Sequence, residues 1–170
     1  MATEEHICVN DMRLKDLGSA GGMTGWGVRA SVLGKGEAPE VIESFEWAVG
    51  ADARRMLDEI ATFVTSMASD GRRKVQICCP CSHGVSADEV SLAAMLEAAQ
   101  SGRFDEMQAH ATWLYAAGMP STAAESACRI GALYASHGLF LRRLPIAHRV
   151  HARIAEVDWN AHWMAEAGHA

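Results

Sequence analysis

Cys78-Cys79-Pro80-Cys81-Ser82-His83 gathers three thiols and an imidazole within six residues. Cys79, Cys81 and His83 lie two apart, so in an extended segment they face one way and offer three ligands, and two thiolates with an imidazole suit zinc. A fourth ligand would come from a distance, with Cys8, Cys128 or a histidine as candidates. A redox role would need a thiolate of lowered pKa beside a resolving cysteine. The helix expected from about Ser86 begins four or five residues beyond Cys81, too far on to activate it strongly. In the third reading the cysteines are small buried hydrophobes at the end of a strand. All three readings stay open, and zinc is the one cofactor the cluster admits without being assured.

The segments around the cluster predict how it is held. Residues 7–9 are β-favouring and end at the turn pair Asn10-Asp11. Residues 18–27 are glycine-rich, but no Gly-Lys-Ser/Thr follows, so they predict a flexible entry to a strand rather than a phosphate loop. Trp26, Val28, Ala30 and Val32 alternate with Gly27, Arg29 and Ser31, the mark of a half-buried strand. After a turn over 34–39, Val41, Phe45 and Trp47 form the inner face of a second strand, giving a hairpin. Over 51–69 the apolar period becomes helical, through Ala53, Met56, Leu57, Ile60, Phe63, Val64 and Met67, and Gly71 ends the helix. Residues 74–79 then predict another strand. A helix between two strands predicts a crossover, with Cys8 and Cys79 close on parallel neighbours.

Beyond the cysteines every periodic segment reads as helix. Ser86-Ala87-Asp88-Glu89 is a capping box, with Val85 and Val90 as a hydrophobic staple, and it predicts a helix from Ala87 to about Gln100. Phe104, Met107, Ala111 and Leu114 carry the next helix to Gly118. Pro120 and the box Thr122-Ala123-Ala124-Glu125 start a third, running to Gly138, with Ala124, Cys128, Gly131 and Ala135 as a small-residue face. Pro145 starts a last helix with the stripe Ile146, Val150, Ile154, Val157, Ala161 and Met164.

The order of elements over about residues 6–85 resembles the first half of the ribonuclease-H-like fold: strand, glycine-rich turn, hairpin beginning Gly25-Trp26-Gly27, helix, strand. The resemblance implies acidic metal ligands, which Asp11 and either Asp58 or Glu59 would match. The third acidic position falls on Pro80-Cys81-Ser82, where there is no carboxylate. It therefore implies a nucleic-acid-associated frame without two-metal hydrolysis.

The tail reverses the charge of the chain. Arg142, Arg143, Arg149 and Arg153, with His148 and His151 among them, precede the next acid, Glu156, in a chain of net charge -6. Arg149 and Arg153 share one helix face. Trp159 and Trp163 lie four apart on a different side from the aliphatic stripe, and tryptophan and arginine dominate interface hot spots. These four residues are the candidate partner-binding set.

At 170 residues, 49% apolar and 21% charged, the chain has an ordinary globular composition. The acidic start, the lack of an apolar run near the ~18 residues of a membrane span, and an odd number of cysteines predict a cytoplasmic protein without a disulfide framework. The net acidity disfavours, without excluding, nucleic acid as partner. The expected class is α+β or α/β. An N-terminal mixed sheet of three to four strands with one crossover helix (1–85) precedes an antiparallel helical part (86–144) and a terminal helix (145–170), all in one compact domain. The expected function is non-enzymatic protein binding or regulation through the C-terminal helix, with a protein partner or self-association and no membrane. The alternatives are a metal- or thiol-dependent enzyme centred on 78–83 and a nucleic-acid-associated protein on an inactive ribonuclease-H-like frame.

Overall fold

Ser86 caps the central helix as the sequence predicts: its Oγ accepts from the Glu89 N–H at 3.1 Å, and the Glu89 carboxylate accepts from the Ser86 N–H at 2.7 Å. Val85 and Val90 complete the staple, both fully buried in a small cluster with Met12, Leu17 and Leu144. A computed structural model describes residues 8–144, with side chains from Met12 onward. Its elements in order are β1 (Cys8–Arg13), α1 (Gly18–Val32), α2 (Pro39–Val49), α3 (Ala53–Asp70), β2 (Gly84–Ser86), α4 (Ala87–Gln100), α5 (Phe104–Leu114) and α6 (Ser121–Ser136). Short 3-10 turns, Leu14–Leu17 and Gly50–Asp52, precede α1 and α3. The helix expected after Pro145 lies outside the described residues.

The class is helix-dominated, which corrects the expected mixed sheet. Among the described residues β1 and β2 form a two-stranded antiparallel sheet, with Cys8 opposite Ser86 and Arg13 opposite Gly84. Residues 74–79 are neither helix nor strand. Cys8 and Cys79 therefore do not lie on parallel neighbours, and the crossover is absent. The two segments read as a hairpin, with the strand after α3, had also carried the ribonuclease-H-like layout.

Both hairpin segments are helices, for identifiable reasons. In α1 the buried positions include Ala20, Gly21, Thr24, Gly27 and Val28, a helical spacing made almost entirely of residues too small to register as an apolar stripe. The glycines cost helix propensity, roughly 1 kcal/mol each, and return it in packing. A Cβ on Gly27 would stand 2.8 Å from Phe45 Cζ and 3.2 Å from Ile60 Cδ1, so α1 meets α2 and α3 there at a distance only glycine permits. In α2, Val41 and Phe45 fit either period, four residues being a whole number of strand repeats and nearly one helical turn. Trp47 decides it: Val41, Phe45 and Val49 are buried at a spacing of four, whereas Trp47, expected on the same inner face, is 88% exposed. Pro39 at the first position of α2 starts the helix with a preset φ.

The later helices follow the apolar pattern with smaller corrections. α5 ends at Leu114 rather than Gly118, and its first apolar residue, Phe104, is exposed. α6 begins at Ser121 after Pro120, and the box at Thr122 does not form, because no side chain caps that end. Of the small-residue face, Gly131 makes the close approach: its Cβ would lie 2.8 Å from Gln100 Cα on α4. Ala124 and Cys128 are half-buried and Ala135 is exposed.

α4 is buried on almost every side, with Val90, Leu92, Met95, Leu96 and Ala98 all enclosed. It packs on α5, α6 and α1, while α3 packs on α6, α1 and α2. One core cluster takes residues from all six helices, on both sides of position 85. No helix among the described residues is long and apolar enough to cross a membrane.

Two outcomes follow from this packing. Gly27→Ala gains helix propensity but drives a methyl into a fully buried ring, and overpacking of that kind costs about 1–3 kcal/mol; we expect a net loss of stability in urea unfolding. Tyr134 is buried with its hydroxyl 2.9 Å from Thr24 Oγ1, which itself donates to the Ala20 carbonyl. Burial pushes the Tyr134 phenol up to about 12 from an ordinary 10, with the Thr24 contact acting the other way. The folded state thus keeps the phenol neutral where the unfolded chain ionises. That stabilisation is complete below pH ~10 and is lost as pH rises towards 12, on the order of 2–3 kcal/mol. Unfolding of wild type and Tyr134→Phe between pH 8 and 11.5 should show the steeper decline in wild type.

Candidate functional site

The cysteine loop is held from beneath by one arginine. Arg29, in the last turn of α1, is fully buried, and each of its five N–H groups has an acceptor. Nε donates to Glu89 Oε1 at 2.6 Å and Nη2 to Glu89 Oε2 at 3.1 Å. The remaining donors reach the carbonyls of Ser82 at 2.7 Å, Cys79 at 3.3 Å and Gly84 at 2.6 Å. The loop also closes on itself, because the Ser82 N–H donates to the Cys79 carbonyl at 2.8 Å, placing Pro80 and Cys81 at the corner of a turn. The Leu14 N–H, at the end of β1, donates to the His83 carbonyl at 2.8 Å.

The approach to the loop is held by the neighbouring carboxylate of the same helix turn. Asp88 accepts from Arg73 at 2.6 and 2.8 Å and from the Gln76 N–H at 2.7 Å. Ser86 Oγ donates to the Gln76 carbonyl at 2.5 Å. The pairing with Asp88 raises the Arg73 pKa above its ordinary value, with partial burial acting against it. Asp88 and Glu89 thus fasten both limbs of the loop to the first turn of α4. Two carboxylates and the Ser86 cap occupy that helix end, so its positive dipole is turned to structure and not to the thiols.

On this scaffold Cys78 is buried, while Cys79, Cys81 and His83 are exposed. The expected ligand set Cys79, Cys81 and His83 is not brought together: among the described residues no three histidine, cysteine or carboxylate side chains are grouped to hold a metal ion. Cys128, offered as a distant fourth ligand, stands half-buried on α6. Of the acids named for the resemblance, Asp58 is exposed and Glu59 is paired with Arg129 at 2.6 Å. Arg142 and Arg143 are exposed, and Arg143 meets Glu106 at 3.0 Å. The partner-binding candidates Arg149, Arg153, Trp159 and Trp163 lie outside the described residues.

The residue that sequence reasoning missed is Arg29, read as the outward face of a strand. A signal was present: from Gly18 to Leu33 it is the one charged residue, and a lone charge in a buried helix requires a partner. Glu89 was recognised only as half of a capping box. Comparison with protein-family models, with curated proteins and with solved structures returns no match for this chain.

Glu89→Ala would leave the Arg29 guanidinium buried without its counter-charge, an event that costs about 3–5 kcal/mol. We expect that loss in urea unfolding, together with faster alkylation of Cys78 at denaturant concentrations that leave the wild type folded. Replacing the pair by apolar residues, Arg29→Met with Glu89→Leu, should not restore stability, since the carbonyls of Cys79, Ser82 and Gly84 then lose their donors.

Proposed function

We propose that this protein is a non-enzymatic binding or regulatory protein that acts by contact with another protein chain, with Arg149, Arg153, Trp159 and Trp163 among the contacting residues. The observation in the body that carries this reading is Trp47. It stands 88% exposed on α2, beside a depression of about 220 Å³ lined by Ala20, Met23, Ala48 and Leu139. A tryptophan offers on the order of 200 Å² of apolar surface, and folding has left this one uncovered next to further apolar side chains. Phe140, which follows Leu139, is 71% exposed. Surfaces of this kind serve recognition, with buried aromatic anchors supplying most of the affinity.

A second reading, thiol- or zinc-dependent activity at residues 78–83, is favoured by one observation: Cys79 and Cys81 are exposed on a turn whose backbone is pinned by Arg29. Metal analysis of protein purified without added zinc, compared with Cys79→Ser/Cys81→Ser, addresses it. Stoichiometric zinc lost in that variant would support this reading.

Site-specific photocrosslinking tests the leading proposal. A photoreactive residue at Glu46, beside Trp47, should capture one discrete protein species in cells, either a partner or a second copy. Light scattering should show the corresponding complex weakened by Trp159→Ala with Trp163→Ala while circular dichroism stays unchanged. A strict monomer that yields no crosslinked species, with Trp159 and Trp163 shielded from quencher, would remove the proposal.

A further inference from the structure

We propose that the groove between the ends of α1 and α3 and residues 71–77 binds an extended, acidic and apolar peptide of a partner protein by strand addition along Val75 and Ile77. This deepens the protein-binding reading and rests on it. The groove measures about 700 Å³ and is lined by Val32, Val64, Met67, Val75 and Ile77, with Ser31 and Lys74 also on its wall.

The backbone supplies the first argument. Burial alternates along this segment, with Lys74 and Gln76 exposed and Val75 and Ile77 half-buried, as in an extended chain. The Gln76 N–H and carbonyl are both taken by the first turn of α4, through Asp88 and Ser86, and the Arg72 N–H donates to the Leu114 carbonyl at 2.8 Å. In an extended chain the peptide groups of successive residues point to opposite edges. Those of Val75 and Ile77 therefore face away from the body, and among the described residues neither makes a hydrogen bond. Two consecutive rungs of an open strand edge result, the template that strand addition uses. A strand docked there lies roughly 4.8 Å away and directs every second side chain over the apolar floor.

Ser31 supplies the second argument. Ser31 lines this groove, and its Oγ is buried and has no hydrogen-bond partner among the described residues. A buried hydroxyl without a partner is costly, and a turn of the Ser31 side chain towards the groove would let a peptide carbonyl or carboxylate satisfy it. Charge is the third. Arg73 is neutralised by Asp88, but Lys74 on the groove wall and Arg72, two residues before it, are exposed and have no ion pair among the described residues, which leaves positive charge beside the groove on a chain of net charge -6. A second copy docking by the same edge would bring two such positive charges together, so the complementary occupant is an acidic partner segment.

The probe is a fluorescein-labelled eight-residue peptide of alternating valine and glutamate, titrated by anisotropy into the full chain at low salt. Saturable binding is expected, weakened at least tenfold by Val75→Pro, which removes an outward N–H, and by Arg72→Glu with Lys74→Glu, which reverses that charge. Hydrogen exchange at Val75 and Ile77 should be fast in the free protein and slowed by the peptide. No saturable binding, or binding unchanged in both variants, overturns the proposal. Slow exchange at Val75 and Ile77 in the free monomer, meaning that the chain's own residues fill the groove, overturns it too, as does an oligomer lost with Arg72→Glu and Lys74→Glu. If the groove fails while the crosslink from Glu46 persists, protein binding stands and its surface is the one around Trp47.

Discussion

Everything around the cysteine loop depends on the ion pair between Arg29 and Glu89, whose side chains are 0% and 2% exposed. Burying two charges costs several kcal/mol per ion, and their mutual attraction repays this only when the geometry is good and the other donors are satisfied. Both conditions hold, because the guanidinium meets the carboxylate with two nitrogens and spends its other three hydrogens on the loop carbonyls. The arginine thereby does work that a sheet would do elsewhere. It satisfies the backbone of a segment without regular structure, at the point where that segment crosses the end of α1.

The same first turn of α4 serves three purposes. Ser86 and Glu89 cap the helix, Glu89 neutralises Arg29, and Asp88 ties down Arg73 and Gln76. Helix α4 is also buried on almost every side, so the loop is anchored to a helix enclosed by the core. Two surfaces result on either side of that anchor. One presents Cys79 and Cys81 on a fixed turn. The other is the outward edge of residues 75–77, where the inward groups of Gln76 are both used and the outward groups of Val75 and Ile77 make no hydrogen bond among the described residues.

Glycine placement explains why the body closes so tightly without many large side chains. Gly27 lets α1 approach α2 and α3, and Gly131 lets α6 approach α4. Because those contacts are backbone against side chain or backbone against backbone, they carry no hydrophobic signature. They leave the aromatic side chains of Trp47 and Phe140 outside the core and exposed.

Local chemistry alone determined α3, α4 and most of α5 and α6, since each has either a long apolar stripe of helical period or a cap written in adjacent residues. The capping box and staple at residues 85–90 were legible to the residue. The N-terminal region was not. The alternation from Trp26 to Val32 reads as a strand and the spacing of Val41 and Phe45 fits either period, and only the burial of Gly21, Thr24 and Gly27 and the exposure of Trp47 select the helix. The cysteine cluster was visible as a place where chemistry could sit, but whether its ligands converge depends on the path of residues 74–86. That path is set by Arg29 and Asp88, which act on residues 12 to 55 positions away. A hydrogen bond across such a separation leaves no periodicity in the sequence, because it depends on where two helices cross, and the crossing is decided by packing of the whole core.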